Sequence, residues 1–286
     1  MIKHLGIIGA GTMGAGIAQA AALSKVEVVL YDINDTILRQ ALERVKTDFK
    51  KGVEKGKLTS EQTTEAFGRI HPRTRLADLS HSDIVIEAVI EDLRIKKDLF
   101  KHLEADTRPT TILASNTSSL SITAIASAAR YPERFVGMHF FNPVQRMKLV
   151  EIVLGQRTSP ETAQRAIDCA RQLGKTTVVA KDTPGFIVNR VARPFYGEAL
   201  RLLDENVAYV EEIDRIVRIE GGFAMGPFEL MDLIGLDVNL AVTQSIHEQF
   251  FGEPRYRPHS IQKKMVESGM LGRKAGQGFY KYEKKG

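Results

Sequence analysis

The sequence has little cysteine and no long apolar run. Cys169 is the single cysteine among 286 residues, which excludes an intramolecular disulfide and a zinc site built on several thiolates. It is expected to fill space on a helix in the core. No stretch approaches the roughly 20 apolar residues that cross a membrane, and the first apolar run is broken by Gly6 and Gly9, unlike a signal peptide. We therefore expect a cytoplasmic protein with no metal and no membrane partner.

The positive charge is scattered along the chain. The formal net charge is +5 and the pI is about 9.2, but the basic residues form no stripe interleaved with aromatic residues, as nucleic-acid surfaces often do. We expect no nucleic-acid partner. A small molecule that is rich in phosphate could use the same charge.

Two periodicities alternate over the first half of the chain. Short β-branched runs predict strands at 5–8, 26–30, 84–90, 111–114, 135–138, 148–154 and 176–180. Helical spacing predicts helices at 13–23, 35–53, 93–103, 122–129 and 160–173. Alternation of this kind predicts a parallel sheet with helices on both faces.

The pattern changes at the breaker Asp182 to Gly185, beyond which almost everything is predicted to be helical. The predicted helices are 186–203, with a kink at Pro194, and 210–219, 227–250 and 260–268. The fold class is therefore α/β, a Rossmann-type doubly wound sheet over 1–183, followed by an all-α domain over 184–286.

A glycine-rich turn follows the first predicted strand. It reads Gly9-Ala10-Gly11-Thr12-Met13-Gly14, with a helix opening inside it and a second strand after that helix. In dinucleotide-binding turns the first glycine permits the tight bend, the second lets the backbone approach the pyrophosphate, and the third lets helix and strand pack closely. The pyrophosphate then lies at the helix N-terminus.

Asp32 ends the second predicted strand, eighteen residues after Gly14. A carboxylate at this spacing hydrogen-bonds ribose hydroxyls and repels a 2′-phosphate, which favours NAD over NADP. The alternatives are a flavin and a glycine turn with a purely structural role.

Polar residues follow two further strands near the edge where doubly wound sheets bind ligands. Glu91 and Lys96 follow the strand at 84–90, although each alone is more typical of a solvated surface charge. The run from Ser115 to Ser119 follows the next strand. Such a run either binds a carbonyl or hydroxyl oxygen or caps the following helix.

His139 and Glu151 are the candidates for acid–base chemistry. His139 ends an apolar strand, whereas the other six histidines have polar neighbours. Strand alternation places Glu151 on an apolar face, where a carboxylate is costly unless it is paired. A pair of the two would fix the imidazole tautomer and raise its basicity. The alternative is that Glu151 pairs with Arg146 or a lysine and that His139 is a satisfied core histidine.

Taken together, the motifs resemble the L-3-hydroxyacyl-CoA dehydrogenase family, and within it the short bacterial enzymes that act on 3-hydroxybutyryl-CoA. The resemblance covers nearly the whole chain. It is carried in order by Gly9 to Gly14, Ala114 to Ser121, Gly137 to Pro143, Asp182 to Arg190, Met225 to Leu230 and Gly272 to Tyr280.

The resemblance implies a role for each site residue. His139 is the catalytic base, Glu151 orients it, and Ser118 and Asn189 contact the reacting oxygen or thioester. The implied NAD contacts are the glycine turn, Asp32, Glu91, Lys96, Asn116, Ser118, Asn142 and Lys274. Asn142 contacts the nicotinamide side or the substrate, and lysines such as Lys50 and Lys55 suit the phosphates of coenzyme A. The implied partners are an acyl-CoA substrate and a second copy of the chain, with 184–286 binding substrate and forming the homodimer.

Two other functions are compatible with parts of this pattern. A dehydrogenase of the same scaffold could oxidise a sugar acid such as gulonate, but a small acid has no use for the distant lysines from Lys50 to Lys57. A non-catalytic NAD sensor has no use for the base His139 with Glu151.

Overall fold

The computed structural model describes residues 1–283. Contacts within the chain divide it into two compact units, Met1–Thr183 and Pro184–Gly286. Each unit has its own apolar core. In the described residues, no helix combines the length and apolar character needed to cross a bilayer.

The described part of the first unit contains one sheet of eight strands, in the order β3-β2-β1-β4-β5-β6-β7-β8. The strands are β1 His4–Ile8, β2 Glu27–Tyr31, β3 Ile70–Arg73, β4 Ile84–Glu87, β5 Ile112–Ser115, β6 Phe135–Phe140, β7 Leu149–Leu154 and β8 Thr176–Lys181. The helices are α1 Thr12–Leu23, α2 Asp35–Glu54, α3 Ser60–Gly68, α4 Leu93–Asp106, α5 Ile122–Ala126 and α6 Pro160–Gln172.

Alternation along β1 shows why both faces of the sheet are covered. Leu5 and Ile7 belong to the core formed with α1, α2 and α6, whereas Ile8 belongs to the core formed with α4 and α5. Successive side chains of a strand point to opposite faces, so an almost continuously apolar strand requires helices on both sides. The predicted doubly wound α/β class is confirmed.

The sheet departs from the predicted parallel arrangement at one strand. β7 runs antiparallel to β6, and β8 is then parallel to β7. The connection 141–148 is too short for a crossover, which takes a dozen or more residues. The chain therefore turns back directly beside β6.

Two elements of the first unit were missed by the sequence patterns. β3 is a four-residue edge strand that contains Pro72 and lacks apolar alternation. α3 is polar, and its signal is the capping box formed by Thr59 and Gln62.

In its described residues, the second unit contains α7 Val188–Asp204, α8 Val210–Ile219, α9 Pro227–Ile234, α10 Leu236–Gln249 and α11 Ser260–Glu267. Pro194 lies inside α7. The prediction of one helix over 227–250 is wrong, because Gly235 has a φ of +101° and separates α9 from α10. Only glycine adopts this backbone region readily.

Candidate active site

The glycine turn joins β1 to α1 and has a different packing constraint at each glycine. Gly9 has a φ of +96°, and a Cβ there would lie 2.6 Å from the carbonyl oxygen of Ala88. A Cβ on Gly14 would overlap the carbonyl oxygen of Gly9. At Gly11, by contrast, an added Cβ would meet nothing within 4 Å. The outer glycines are thus fixed by packing, and the middle one faces open space.

The N-terminus of α1 is suited to an anion. Gly11 occupies the N-cap position and has no side chain to accept the first N–H groups, and the first turn, which begins at Thr12 and Met13, contains no acidic residue. Unpaired N–H groups and the helix dipole at such an end attract phosphate.

The peptide group of Ala10 is held from both sides. Asp32, at the end of β2, accepts the Ala10 N–H through Oδ2 at 2.9 Å and the Asn34 N–H through Oδ1 at 3.0 Å. Arg44 of α2 donates to the Ala10 carbonyl oxygen at 2.8 Å. Asp32 thus lies beside the turn, and the arginine is a contact that the sequence patterns did not indicate.

His139 and Glu151 face each other across β6 and β7. The antiparallel register pairs the two residues directly, and His139 Nδ1 lies 2.7 Å from Glu151 Oε2. The glutamate side chain has no exposed surface and the histidine side chain is 7% exposed. The reversal of the sheet at β7 is therefore what brings the predicted pair together.

Asn116 directly follows β5, and Asn142 follows β6, the strand that carries His139. Asn116, after β5, accepts the N–H of Phe140 through Oδ1 at 2.9 Å, one residue beyond His139. Its own N–H donates to the carbonyl oxygen of Glu87 at the end of β4. Asn142 is two residues beyond the end of β6. Asn116 thus ties the ends of β4, β5 and β6 together beside the imidazole.

Glu91 holds the turn that carries Ser118. Its Oε1 accepts from the Thr117 hydroxyl at 2.5 Å, from the Ser118 N–H at 3.1 Å and from the Ser119 N–H and hydroxyl at 3.3 and 3.1 Å. Burial opposes the negative charge of Glu91, but the nearby Lys96 ammonium and these hydrogen bonds outweigh it and hold the pKa of the carboxyl below its usual value.

Lys96 is buried between two carboxylates. Its Nζ lies 2.6 Å from Glu87 Oε1 and 3.2 Å from Glu91 Oε2, and its side chain is 1% exposed. The second oxygen of Glu87 accepts from the Ser115 hydroxyl at 2.7 Å, and the first also accepts the Val89 N–H at 2.7 Å. Glu87 was missed, although a glutamate inside the apolar run 84–90 was the same signal that singled out Glu151. Ser115 begins the polar run 115–119 that the sequence patterns singled out.

Asn189 and Lys274 belong to the second unit. Asn189 is the second residue of α7, and its carbonyl oxygen accepts from the side chain of the buried Arg193 at 3.2 Å. Lys274 donates to Asp237 Oδ2 at 2.6 Å, and this hydrogen bond lowers the pKa of Asp237.

The two predicted coenzyme A lysines lie at the C-terminal end of α2. Lys50 helps to line a cavity of about 540 Å³ between α2 and α3, which has an apolar wall of Phe49, Val53 and Phe67. Lys55 is the residue that ends the helix.

The doubly wound sheet and the glycine turn at the start of α1 place the protein in the class of dinucleotide-binding folds. Comparison with family sequence models identifies the family. Residues 4–183 match the 3-hydroxyacyl-CoA dehydrogenase NAD-binding domain, and residues 185–282 match the C-terminal domain of the same family.

Individual relatives are similar in sequence to this chain over nearly its whole length. A probable 3-hydroxybutyryl-CoA dehydrogenase of Deinococcus radiodurans is 47% identical over 97% of this chain and 99% of its own. A 3-hydroxyadipyl-CoA dehydrogenase of Escherichia coli is also 47% identical over 98% of this chain, which spans 59% of that protein. The crystal structure of (S)-3-hydroxybutyryl-CoA dehydrogenase from Ralstonia eutropha is 42% identical, with a TM-score of 0.95 over 99% of this chain and 100% of that one.

The chain therefore belongs to the 3-hydroxyacyl-CoA dehydrogenase family. It is an NAD-dependent oxidoreductase that acts on 3-hydroxyacyl-CoA.

Proposed function

We propose that the chain oxidises (3S)-3-hydroxybutyryl-CoA to acetoacetyl-CoA with NAD and catalyses the reverse reduction with NADH. The observation that carries this proposal is the buried pair of His139 and Glu151. It lies on the same sheet as the glycine turn, at the ends of strands that adjoin Asn116 and the turn carrying Ser118.

His139 is proposed as the base that takes the proton of the C3 hydroxyl. Its Nδ1 is engaged by Glu151 at 2.7 Å, so Nε2 is the nitrogen assigned to the substrate. The imidazolium that results keeps its Nδ1–H on the buried carboxylate, which stabilises the positive charge. Bound NAD supplies the acceptor for the hydride that leaves C3. In the reduction, the same imidazolium returns the proton.

Ser118 and Asn189 are proposed to hold the reacting oxygen, so that the C3 substituents keep one orientation during the reaction. Asn142 is proposed to contact the nicotinamide side or the substrate. Glu91 fixes the Ser118 N–H at 3.1 Å, which supports a defined position for this serine.

The dinucleotide is proposed to lie across the turn from Gly9 to Gly14, with its ribose on Asp32. The open space at Gly11 and the uncapped start of α1 fit a pyrophosphate. Glu91, Lys96, Asn116, Ser118 and Lys274 are the further proposed contacts. Because the Lys96 side chain is only 1% exposed, it is proposed to act on the dinucleotide mainly through its positive charge.

Lys50 and Lys55 are proposed to bind the phosphates of coenzyme A. The support is their position at the end of α2 and the cavity that Lys50 helps to line. A homodimer formed through the helical unit is the proposed assembly. It is supported by exposed apolar side chains along one side of α8, Ile216 and Ile219, and by Phe223 after it.

The test is the loss of NADH absorbance with acetoacetyl-CoA for the wild type and for His139→Ala. The wild type is expected to turn over, and the variant to lose about 10²-fold or more of kcat. Wild-type protein that binds NADH without turnover would indicate a sensor, and faster turnover of gulonate with NAD would indicate a sugar-acid dehydrogenase. Retention of most activity by the variant would remove His139 as the base. Parallel assays of NADH formation, with NAD and either 3-hydroxybutyryl-CoA or 3-hydroxyadipyl-CoA, report the preferred acyl group.

A further inference from the structure

A chain of three charges, of which Glu87 and Lys96 are buried and Glu91 is 37% exposed, connects the sheet core to the turn that carries Ser118. Glu87, at the end of β4, has no exposed surface and contacts Lys96 at 2.6 Å. Lys96 contacts Glu91 at 3.2 Å, and Glu91 in turn receives four hydrogen bonds from Thr117, Ser118 and Ser119. Neither the family resemblance nor the sequence patterns assign a role to Glu87.

The network also fixes the end of the neighbouring strand. Ser115, the last residue of β5, donates its hydroxyl to Glu87 Oε2 at 2.7 Å and accepts the Thr117 N–H at 3.2 Å. Thr117 is therefore held from two directions, by Ser115 from the sheet and by Glu91 from the loop before α4. Both supports lead back to Glu87.

The charges show why the network depends on Glu87. Two carboxylates and one ammonium share this region, and the ammonium is almost completely buried. A buried lysine keeps its charge when paired carboxylates compensate for lost hydration. Without the charge of Glu87, Lys96 retains Glu91 as its partner and is expected to draw that carboxylate inward, away from the Ser118 turn.

We propose that Glu87 is a positioning residue for the reaction, acting through Lys96 and Glu91 on the turn that presents Ser118. This inference rests on the proposed function of Ser118. Glu87 itself has no exposed surface, so it is not proposed to contact substrate or dinucleotide.

The test is a double-mutant cycle of Glu87→Gln and Ser118→Ala, measured as kcat and KM for acetoacetyl-CoA. Glutamine keeps the shape and can still bond Ser115 and the Val89 N–H, but it lacks the charge. We expect Glu87→Gln to lower kcat about tenfold or more, since small displacements of positioning groups have large effects. The Kd of NADH, measured by fluorescence, is expected to rise by a smaller factor, because Glu91, Lys96 and Ser118 are themselves proposed dinucleotide contacts, so kcat is measured at saturating NADH. In the Ser118→Ala background, Glu87→Gln is expected to add little further loss.

If the loss of kcat in the double variant equals the product of the two single-variant losses, the proposal is overturned, because Glu87 then acts independently of Ser118. An unchanged kcat with a lowered Tm would overturn it too and leave Glu87 with a structural role alone. An inactive wild type would instead overturn the proposed function, so the two failures are distinguishable.

Two further variants separate positioning from stability. Glu104→Gln makes the same change in a largely buried ion pair elsewhere in the first unit, with Arg134 at 3.6 Å, and is expected to lower Tm while kcat stays unchanged. Glu87→Gln combined with Lys96→Met removes both charges and is expected to recover most of the Tm lost by either single change. Failure of Tm to recover in this variant would show that the two buried charges do not compensate each other.

Discussion

At the residue scale, the first unit contains two histidine–glutamate pairs with very different surroundings. His139 and Glu151 are buried. His71 and Glu27 lie on neighbouring strands at a similar distance, 2.8 Å, but their side chains are 41% and 45% exposed. Water competes with the exposed pair, whereas burial makes the electrostatic interaction between Glu151 and a charged His139 stronger. The exposed pair can therefore serve as a matched control for the proposed role of Glu151 in orienting His139.

We expect Glu151→Gln to lower kcat about 10²-fold or more, because an amide can still accept the Nδ1–H but cannot stabilise an imidazolium as a carboxylate does. Steady-state kinetics with acetoacetyl-CoA and NADH measure the loss. Glu27→Gln, the same substitution in the exposed pair, is expected to leave kcat unchanged. Equal small effects of both changes would remove Glu151 from the mechanism.

Cys169 gives a second prediction at this scale. The thiol is buried in α6, and burial raises its pKa to about 12, with Asp83 adding a smaller contribution. Because the thiolate is the reactive form, we expect no reaction with a disulfide reagent at pH 8 in the folded protein. One thiol per chain should react after unfolding in guanidinium. Rapid reaction of the native protein would show that α6 opens readily.

At the element scale, the glycines of the N-terminal turn differ in whether the chain itself leaves room for a side chain. Gly14 is limited by the Gly9 carbonyl, whereas Gly11 is not limited by any atom of the chain within 4 Å. We expect Gly14→Ala to lower the free energy of unfolding by about 1–3 kcal/mol or more, as overpacking does. Gly11→Ala should leave the Tm unchanged and raise the Kd of NADH, because its methyl group would occupy the ligand's space. Urea unfolding and NADH fluorescence measure the two effects.

A Gly11→Ala variant with wild-type NADH affinity would contradict the proposed position of the dinucleotide. The pyrophosphate would then not approach the turn at its middle glycine.

The end of α2 supports a prediction about the coenzyme portion of the substrate. We expect Lys50→Gln with Lys55→Gln to raise the KM for acetoacetyl-CoA about two- to tenfold, since each exposed charge contributes modestly, with little change in kcat. Acetoacetyl-pantetheine, which lacks the nucleotide, should show no difference between variant and wild type. If KM rises equally for both substrates, the two lysines do not act by binding the nucleotide phosphates of coenzyme A.

Elements with a strong local signal were predictable from the sequence, and those fixed by tertiary packing were not. The glycine turn and most strands followed from periodicity. The cost of a carboxylate on an apolar face singled out His139 and Glu151 as candidates, but it left their pairing open until the family resemblance was considered. The edge strand β3 was missed because Pro72 and its short length hide the pattern. The burial of Glu87 was signalled by its place in an apolar run, but its pairing with Lys96 of α4 depends on tertiary packing, which no spacing along the chain reveals.

At the scale of the whole molecule, the described part of the helical unit exposes apolar side chains. Ile216 is 61%, Ile219 67% and Phe223 54% exposed. The first two lie three residues apart on α8 and so share a face. An exposed patch of this kind is typical of an interface with another protein, and a second copy of the chain is the proposed partner.

We expect light scattering after gel filtration to give about twice the chain mass of 31.8 kDa for the wild type, and a monomer at micromolar concentration for Ile216→Glu. Phe251→Glu is the control, because this phenylalanine is 99% exposed on the loop after α10. Dissociation by the control change alone would assign the interface to a different surface.

The antiparallel reversal at β7 has a consequence for how the protein acquires its chemistry during folding. His139 and Glu151 are 12 residues apart in sequence, and the entropy lost on closing so short a loop is small. The turn of Ser118, by contrast, depends on Glu91, 27 residues away. The proposed base and its carboxylate therefore meet within one contiguous stretch of chain, 139–151, at a small cost of loop closure. The groups proposed to align the substrate depend instead on the finished sheet.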